Sequence, residues 1–421
     1  MAGRVIIPLA VGLVCLSWIL RAATAYVPFQ SYGFDFGSYY AQALVLRDDP
    51  ARIYDIHAAL GRLPGAAPGL PGMPLYVGPV SYPPAFALLM VPLTYLPVDH
   101  AWLLWSITNL AATVWLASHA ASHFRPERRG LVTILALLST PAFASLFYGQ
   151  PTPLLGAALS FAYDRLQRQR DLRAGMWLGL LAIKPHYLIF LSPWLIVRRR
   201  WGAVAGLAVT VAVIALLSLA AVGTSTLLTY PLSLADQGDF SGTGGTANVG
   251  VMVNWRALLV LLWPDVGSAT GIVIVTVLGV LTLVPLVVRI RKTATPNEEG
   301  TSLECALVLM ATVLVSYHSH AHGILLLLAP LCEVLSDPRY RYSRTIATLG
   351  VIVPVFLMAP MLLLSGDVSA AYPLTGAFLL LLYASLLWES RPAFDGHPAA
   401  SASVMGQTEA SPNVSAPFPA P

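Results

Sequence analysis

The chain has 421 residues, of which 57% are hydrophobic and only 10% charged, with a formal net charge of +4. A water-soluble surface takes about 25% charged residues, so a soluble globule of this size is excluded. Nucleic-acid binding is excluded too, because Lys and Arg fall in short clusters between apolar runs, at 125–129, 165–173, 198–200, 289–292 and 339–344. That is the pattern of the inner loops of an all-α polytopic membrane protein, in which every spanning segment satisfies its own backbone.

From the N-terminus, Arg4 precedes an apolar run over 5–25 that reads as a retained signal anchor and first transmembrane helix. Further apolar runs cover 83–97, 101–122, 131–147, 152–164, 174–183, 187–197, 202–222, 269–288, 303–317, 322–335, 345–364 and 373–388. Some fall short of the roughly 20 residues a span needs; short, Pro-interrupted helices are tolerated where they line a cavity within the protein. With the N-terminus inside, every basic loop faces inward if 83–97 dips in without crossing and 174–197 is a helix pair bent at Lys184-Pro185. A crossing 83–97 and a straight 174–197 would turn the clusters at 125–129 and 165–173 outward. Both topologies give about 12 transmembrane helices by the same hydropathy criterion, and the positive-inside rule favours the first. The expected organisation is a transmembrane domain over 1–389, with external loops 27–82 and 223–254, and a disordered cytoplasmic tail over 390–421, which is too poor in large apolar residues to fold.

The first external loop holds Asp35, followed by Phe36, Tyr40, Ala43 and Leu44 at helical spacing, which predicts an amphipathic interfacial helix. Asp35 can be a helix cap or a carboxylate base at the membrane boundary. Tyr82, beside Pro83 and Pro84, begins a proline-punctuated segment suited to a cavity wall. Gln150 is a polar amide in the turn Tyr148-Gly149-Gln150. Lys184 lies within apolar sequence, where an ionisable group points to function and could hold a phosphate, unless it snorkels to the interface. Asn254 and Arg256 close the second external loop, with Arg256 a candidate anion ligand. His318, His320 and His322 fall within five residues; with no acidic partner beside them, hydrogen bonding to phosphate or sugar is expected ahead of zinc. Cys15, Cys305 and Cys332 sit in apolar runs and read as packing residues. Phosphate-loop, dinucleotide-binding, nucleophile-elbow and zinc-protease motifs are missing from the sequence.

Taken in order, the segments DFGSYY, SYPPAFALLMVPLTYLP, YGQPTPLL, AGMWLGLLAIKPHYLIFLSPWLIVRRRW, NWRALL and SYHSHAHGILLLLAP resemble glycosyltransferase family 87 over about residues 30–335. The resemblance implies a GT-C-like membrane bundle and an external active site. It implies a polyprenyl-phosphate sugar as co-substrate in place of a cofactor, and inversion at the anomeric carbon, with mannose the expected hexose. It also implies Asp35 as the base, Lys184 as the family's Lys-Pro lysine, and His318 or His320 in its histidine-bearing loop. HSHAH and Asn254-Trp255-Arg256 both depart from the family's usual forms. The acidic residues in these motifs suit no Mg²⁺ or Mn²⁺ site, so metal independence is expected. The expected setting is a bacterial plasma membrane, with the bilayer and a lipid or glycan acceptor as partners. A lipid-linked saccharide transporter would explain the cavity and Lys184 equally well, but would not need Asp35.

Overall fold

The computed structural model describes residues 34–63, 82–235, 249–292, 298–364 and 371–391. The expected anchor over 5–25, parts of both external loops (27–33, 64–81 and 236–248) and the tail from 392 onward lie outside the described residues. The described residues are all-helical, with a lone antiparallel bridge between Met252 and His320. In chain order the helices are α1 (Phe34–Asp48), α2 (Ile56–Arg62), α3 (Pro84–Met90), α4 (Val98–Ala121), α5 (Pro126–Leu137), α6 (Thr140–Tyr148), α7 (Thr152–Gln167), α8 (Asp171–Gly179) and α9 (Leu188–Val197). There follow α10 (Trp201–Leu228), α11 (Tyr230–Ala235), α12 (Trp255–Leu262), α13 (Ser268–Lys292), α14 (Glu298–Val315), α15 (Leu328–Ser336), α16 (Arg341–Leu364) and α17 (Ala371–Glu389). Among the described residues, α4, α10, α13 and α17 are each long and apolar enough to cross a membrane, and α5 with α6, bent by 48°, adds a fifth candidate span.

Their outer faces are apolar. On α13, for example, Ile272, Val273, Val277, Val280, Leu281 and Val284 are exposed, which suits contact with lipid and not with water. At the centre stands α14, buried all round from Thr301 to Leu314; a helix without a polar face belongs in a core.

The chain reverses between α8 and α9, as the inward-facing reading of the basic loops requires. A straight helix from 171 to 197 would set its ends about 40 Å apart at 1.5 Å per residue. Instead Arg200 pairs with Asp171 at 2.9 Å, so the two helices form a hairpin that turns at Lys184-Pro185. α10 then runs beside α8, with Gly175 against the Ala203 carbonyl and Gly206 against the Leu172 carbonyl; a Cβ on either glycine would lie 1.9 or 2.0 Å from that oxygen. Such backbone-to-backbone approach is how small residues join helices in membranes.

α3, with the 3₁₀ turn Val91–Tyr95 that continues it, begins and ends against α1. Tyr82 meets Tyr39 at one end of this segment, and at the other Tyr40 donates to the Leu96 carbonyl and Arg47 to the Thr94 carbonyl. The segment therefore packs along α1.

The five basic clusters gather at one end of the bundle. His119 meets Asp164 at 3.5 Å and His123 meets Glu333 at 3.9 Å. Gln167 donates to Ser302 at 2.7 Å, and Arg198 pairs with Glu304. Arg344 donates to the Leu335 carbonyl at 2.8 Å, Glu389 accepts from the Tyr342 and Ser343 amides, and Arg289 donates to Ser390. These contacts form one continuous belt.

Two expectations are corrected. α1 is not half-exposed: every residue from Phe36 to Leu46 is buried in protein, because α3 and α4 cover the aromatic side that spacing alone assigned to an interface. The segment from 223 is not yet a loop, since helical structure continues through α10 and α11 to Ala235, broken at Gly223.

Candidate active site

The end of the bundle opposite the basic belt collects most of the polar residues that sequence singled out. α6 stops at Gly149, whose φ of 70° and close approach to Phe36 and Trp102 leave no room for a side chain. Its carbonyl accepts from Trp105 at 2.7 Å. This turn aims Gln150 at α1, where its side-chain amide donates to Asp35, a residue in the first turn of that helix.

The other end of the same amide faces Lys184. Lys184 Nζ donates to Gln150 Oε1, and the Tyr82 hydroxyl donates to that oxygen at 3.0 Å. A lysine ammonium offers only donors and a carboxylate only acceptors, so the amide has one possible orientation between them. The ammonium also lies 5.3 Å from the centre of the Tyr82 ring. Because Tyr82 gives its proton to Gln150, the 3.0 Å contact between the two tyrosines has Tyr39 donating to Tyr82. Phe86 holds both rings, stacked on Tyr82 and edge-on to Tyr39.

Gln150 and Lys184 are buried while Asp35 stays partly accessible. Burial pushes Asp35 up to about 6, against the Gln150 hydrogen bond and the Lys184 charge, which both draw it down. Among the described residues, Gln150 is the hydrogen-bond partner of this carboxylate, which leaves one oxygen for a substrate.

The histidines lie beside Lys184. His318 and His320 meet Nε2 to Nε2 at 3.1 Å, and His322 bonds Thr152 at 3.0 Å. Burial, and then the charges of Lys184 and Arg256, pushes His318 down to about 4. Burial also holds His320 well below its ordinary value. Both therefore stand neutral at pH 7 and offer hydrogen bonds, not charge. The cations of the site are Lys184 and Arg256, and Arg256 is fully buried with its guanidinium 4.3 Å from the centre of the Tyr317 ring. Asn254 has its side chain engaged in the framework: it accepts from the Ala257 amide as a cap of α12 and donates to the carbonyls of Ser316 and Tyr317. It thereby fastens the histidine loop to the helix that carries Arg256. Among the described residues, no three His, Cys, Asp or Glu side chains converge in the manner of metal ligands.

Sequence reading missed three members of this cluster. Tyr39 follows Asp35 by one helical turn, and that spacing was the available signal. His186, two residues beyond Lys184, sits within electrostatic range of Lys184 and His318. Thr152 reaches His322 across 170 residues of sequence, and nothing local marks it.

No curated protein and no solved structure matches the chain. The family model of glycosyltransferase family 87 matches residues 81–316, more than half of the chain, and spans Tyr82, Gln150, Lys184, Asn254 and Arg256, with Asp35, His318 and His320 outside its limits. The chain belongs to glycosyltransferase family 87.

Proposed function

We propose that this glycosyltransferase is an inverting hexosyltransferase that moves mannose from a polyprenyl-phosphate donor to a lipid or glycan acceptor at the external face of a bacterial plasma membrane. The observation that carries the reading is the Asp35–Gln150–Lys184 bridge. It holds a carboxylate and a cation close together yet apart, so neither is spent on the other. Asp35 takes the proton of the acceptor hydroxyl. The acceptor oxygen bonds to the anomeric carbon as the bond from that carbon to the phosphate oxygen breaks, and the polyprenyl phosphate leaves with the electron pair. Lys184 and Arg256 meet the charge that develops on this phosphate; the neutral His318–His320 pair spends one N–H on its own Nε2–Nε2 contact and has at most one left to donate to the phosphate oxygens. Such stabilisation is usually the largest catalytic term. One base facing the leaving group, with no covalent intermediate, inverts the centre. Charge neutralisation by side chains makes a divalent metal unnecessary, so the polyprenyl-phosphate sugar is the only co-substrate required.

The external placement follows from the belt of Lys and Arg at the opposite end, which the positive-inside rule assigns to the cytoplasm. The test is transfer of label from polyprenyl-phosphomannose in membranes, wild type beside Asp35→Asn. Product from the wild type alone supports the reading. Equal product from both removes Asp35 from the mechanism, and passage of labelled lipid across the bilayer without a new glycosidic bond would make the chain a transporter.

A further inference from the structure

A cavity of about 350 Å³ lies apart from the cluster around Asp35, within the range of ligand sites, about 300–1,000 Å³. Two helices line it with the same pattern. On α5 the lining residues include Arg128, Leu131, Val132 and Leu135, with Ala136; on α16 they include Arg344, Ala347, Thr348 and Val351, with Ile346 and Gly350. Each set contains the i, i+3, i+4, i+7 spacing of one helical face, and each is headed by an arginine at the basic end of the bundle. α15 and α17 supply the floor, which is almost wholly apolar.

The two arginines differ in how they are held. Arg344 is fixed: it donates to the carbonyls of Leu335 and Asp337, both at 2.8 Å, at the end of α15. Arg128 is exposed, and its side chain has no partner among the described residues. The acids nearby do not cancel this charge. Asp337 is taken by Arg339 at 2.5 Å, and Glu127 stands among Arg125, Arg128 and Arg129. The mouth of an apolar groove is therefore positively charged.

We infer that this groove is a site for an anionic phospholipid of the leaflet at the basic end, its phosphate between Arg128 and Arg344 and one acyl chain along α5 and α16. Basic pockets between transmembrane helices are where anionic headgroups bind. The tail of the sugar donor is a poorer occupant, because its phosphate belongs at the other end of the bundle and none of Asp35, Gln150, Lys184, His318 and His320 lines the groove. The inference does not depend on which sugar is transferred.

The test is native mass spectrometry of the full chain in detergent, titrated separately with dioleoyl phosphatidylglycerol and dioleoyl phosphatidylcholine. The wild type should retain phosphatidylglycerol preferentially. Arg128→Gln, an exposed change that leaves the fold intact, should weaken phosphatidylglycerol about fivefold and leave phosphatidylcholine unchanged. Ala347→Trp, which fills the groove, should remove the bound lipid. Equal retention of both lipids, binding of neither, or phosphatidylglycerol binding indifferent to Arg128→Gln would overturn the inference. So would displacement of phosphatidylglycerol by added polyprenyl phosphate, which would give the groove to the donor's chain.

Discussion

The side-chain amide of Gln150 donates to the carboxylate of Asp35 across 115 residues of sequence. An amide cannot neutralise a carboxylate, so this contact orients Asp35 and leaves it basic. With Asp35 as general base, Asp35→Asn should lower transfer by about 10²–10⁴-fold, while donor binding changes little because Lys184 and Arg256 remain. The check is initial rate and donor binding in the same membrane preparation. A loss confined to donor binding would make Asp35 a ligand and not a base.

The pH profile follows from the same environment. A base must be ionised, and burial pushes Asp35 up to about 6, so kcat/KM should rise with pH through about 6; burial also lowers Lys184 to about 7, so kcat/KM should fall again as Lys184 loses its charge. Gln150 draws Asp35 down; Gln150→Leu removes that pull, so the rising limb should move to higher pH as well as lose height. A merely structural role for Gln150 would lower the maximum without moving the rising limb.

Chemistry of this kind was legible where one residue type is costly in its sequence setting. Lys184 in an apolar run and Gln150 in a membrane-boundary turn stand out in the sequence, and the structure brings their side chains into contact. The hairpin at Lys184-Pro185 was legible for a related reason, since together with a non-crossing 83–97 it kept every basic cluster on one side. What was not legible is what lies opposite a helix face. Spacing grouped Phe36 and Tyr40, but it could not say that protein covers the other side of α1 as well. Asn254 looked like a ligand because its neighbour is Arg256; its hydrogen bonds run to residues as far as Tyr317, and such partners are set by tertiary packing.

Gly149 is the position where backbone geometry governs the site. Its φ of 70° costs about 1–2 kcal/mol for an ordinary residue, and a Cβ there would lie 2.8 Å from that of Phe36 and 2.7 Å from Trp102. Overpacking of this sort costs a further 1–3 kcal/mol or about that. Gly149→Ala should therefore lower the melting temperature in detergent and depress transfer by displacing Gln150. Unchanged melting would show that α1 yields to the methyl group.

Metal removal gives a separate check on the leaving-group chemistry. If Lys184 and Arg256 supply the charge that meets the phosphate, EDTA should leave the transfer rate unchanged, and added Mg²⁺ or Mn²⁺ should do no more. Loss of activity on chelation with recovery on Mg²⁺ would mean that the phosphate is held by a cation and not by these side chains. Lys184→Met should in turn abolish transfer whether or not metal is present.

Sidedness is the last prediction, and two exposed positions suffice to test it. Pro126 opens α5 at the basic end, in the cluster with Arg125, Arg128 and Arg129. Asp265 is exposed just before α13, whose far end carries Arg289, Arg291 and Lys292; 25 residues of helix set those ends about 37 Å apart. In a background with Cys15, Cys305 and Cys332 changed to alanine, Asp265→Cys should react with an impermeant thiol reagent in intact cells. Pro126→Cys should react only after permeabilisation. Labelling of Pro126→Cys in intact cells would turn the basic belt outward and move Asp35 and Lys184 to the cytoplasmic face. The donor's phosphate would then have to be presented from the cytoplasmic leaflet, and the external reaction proposed above would fail. The opposite result leaves the cluster around Asp35 at the outer boundary, where a lipid-borne sugar can be delivered without a nucleotide.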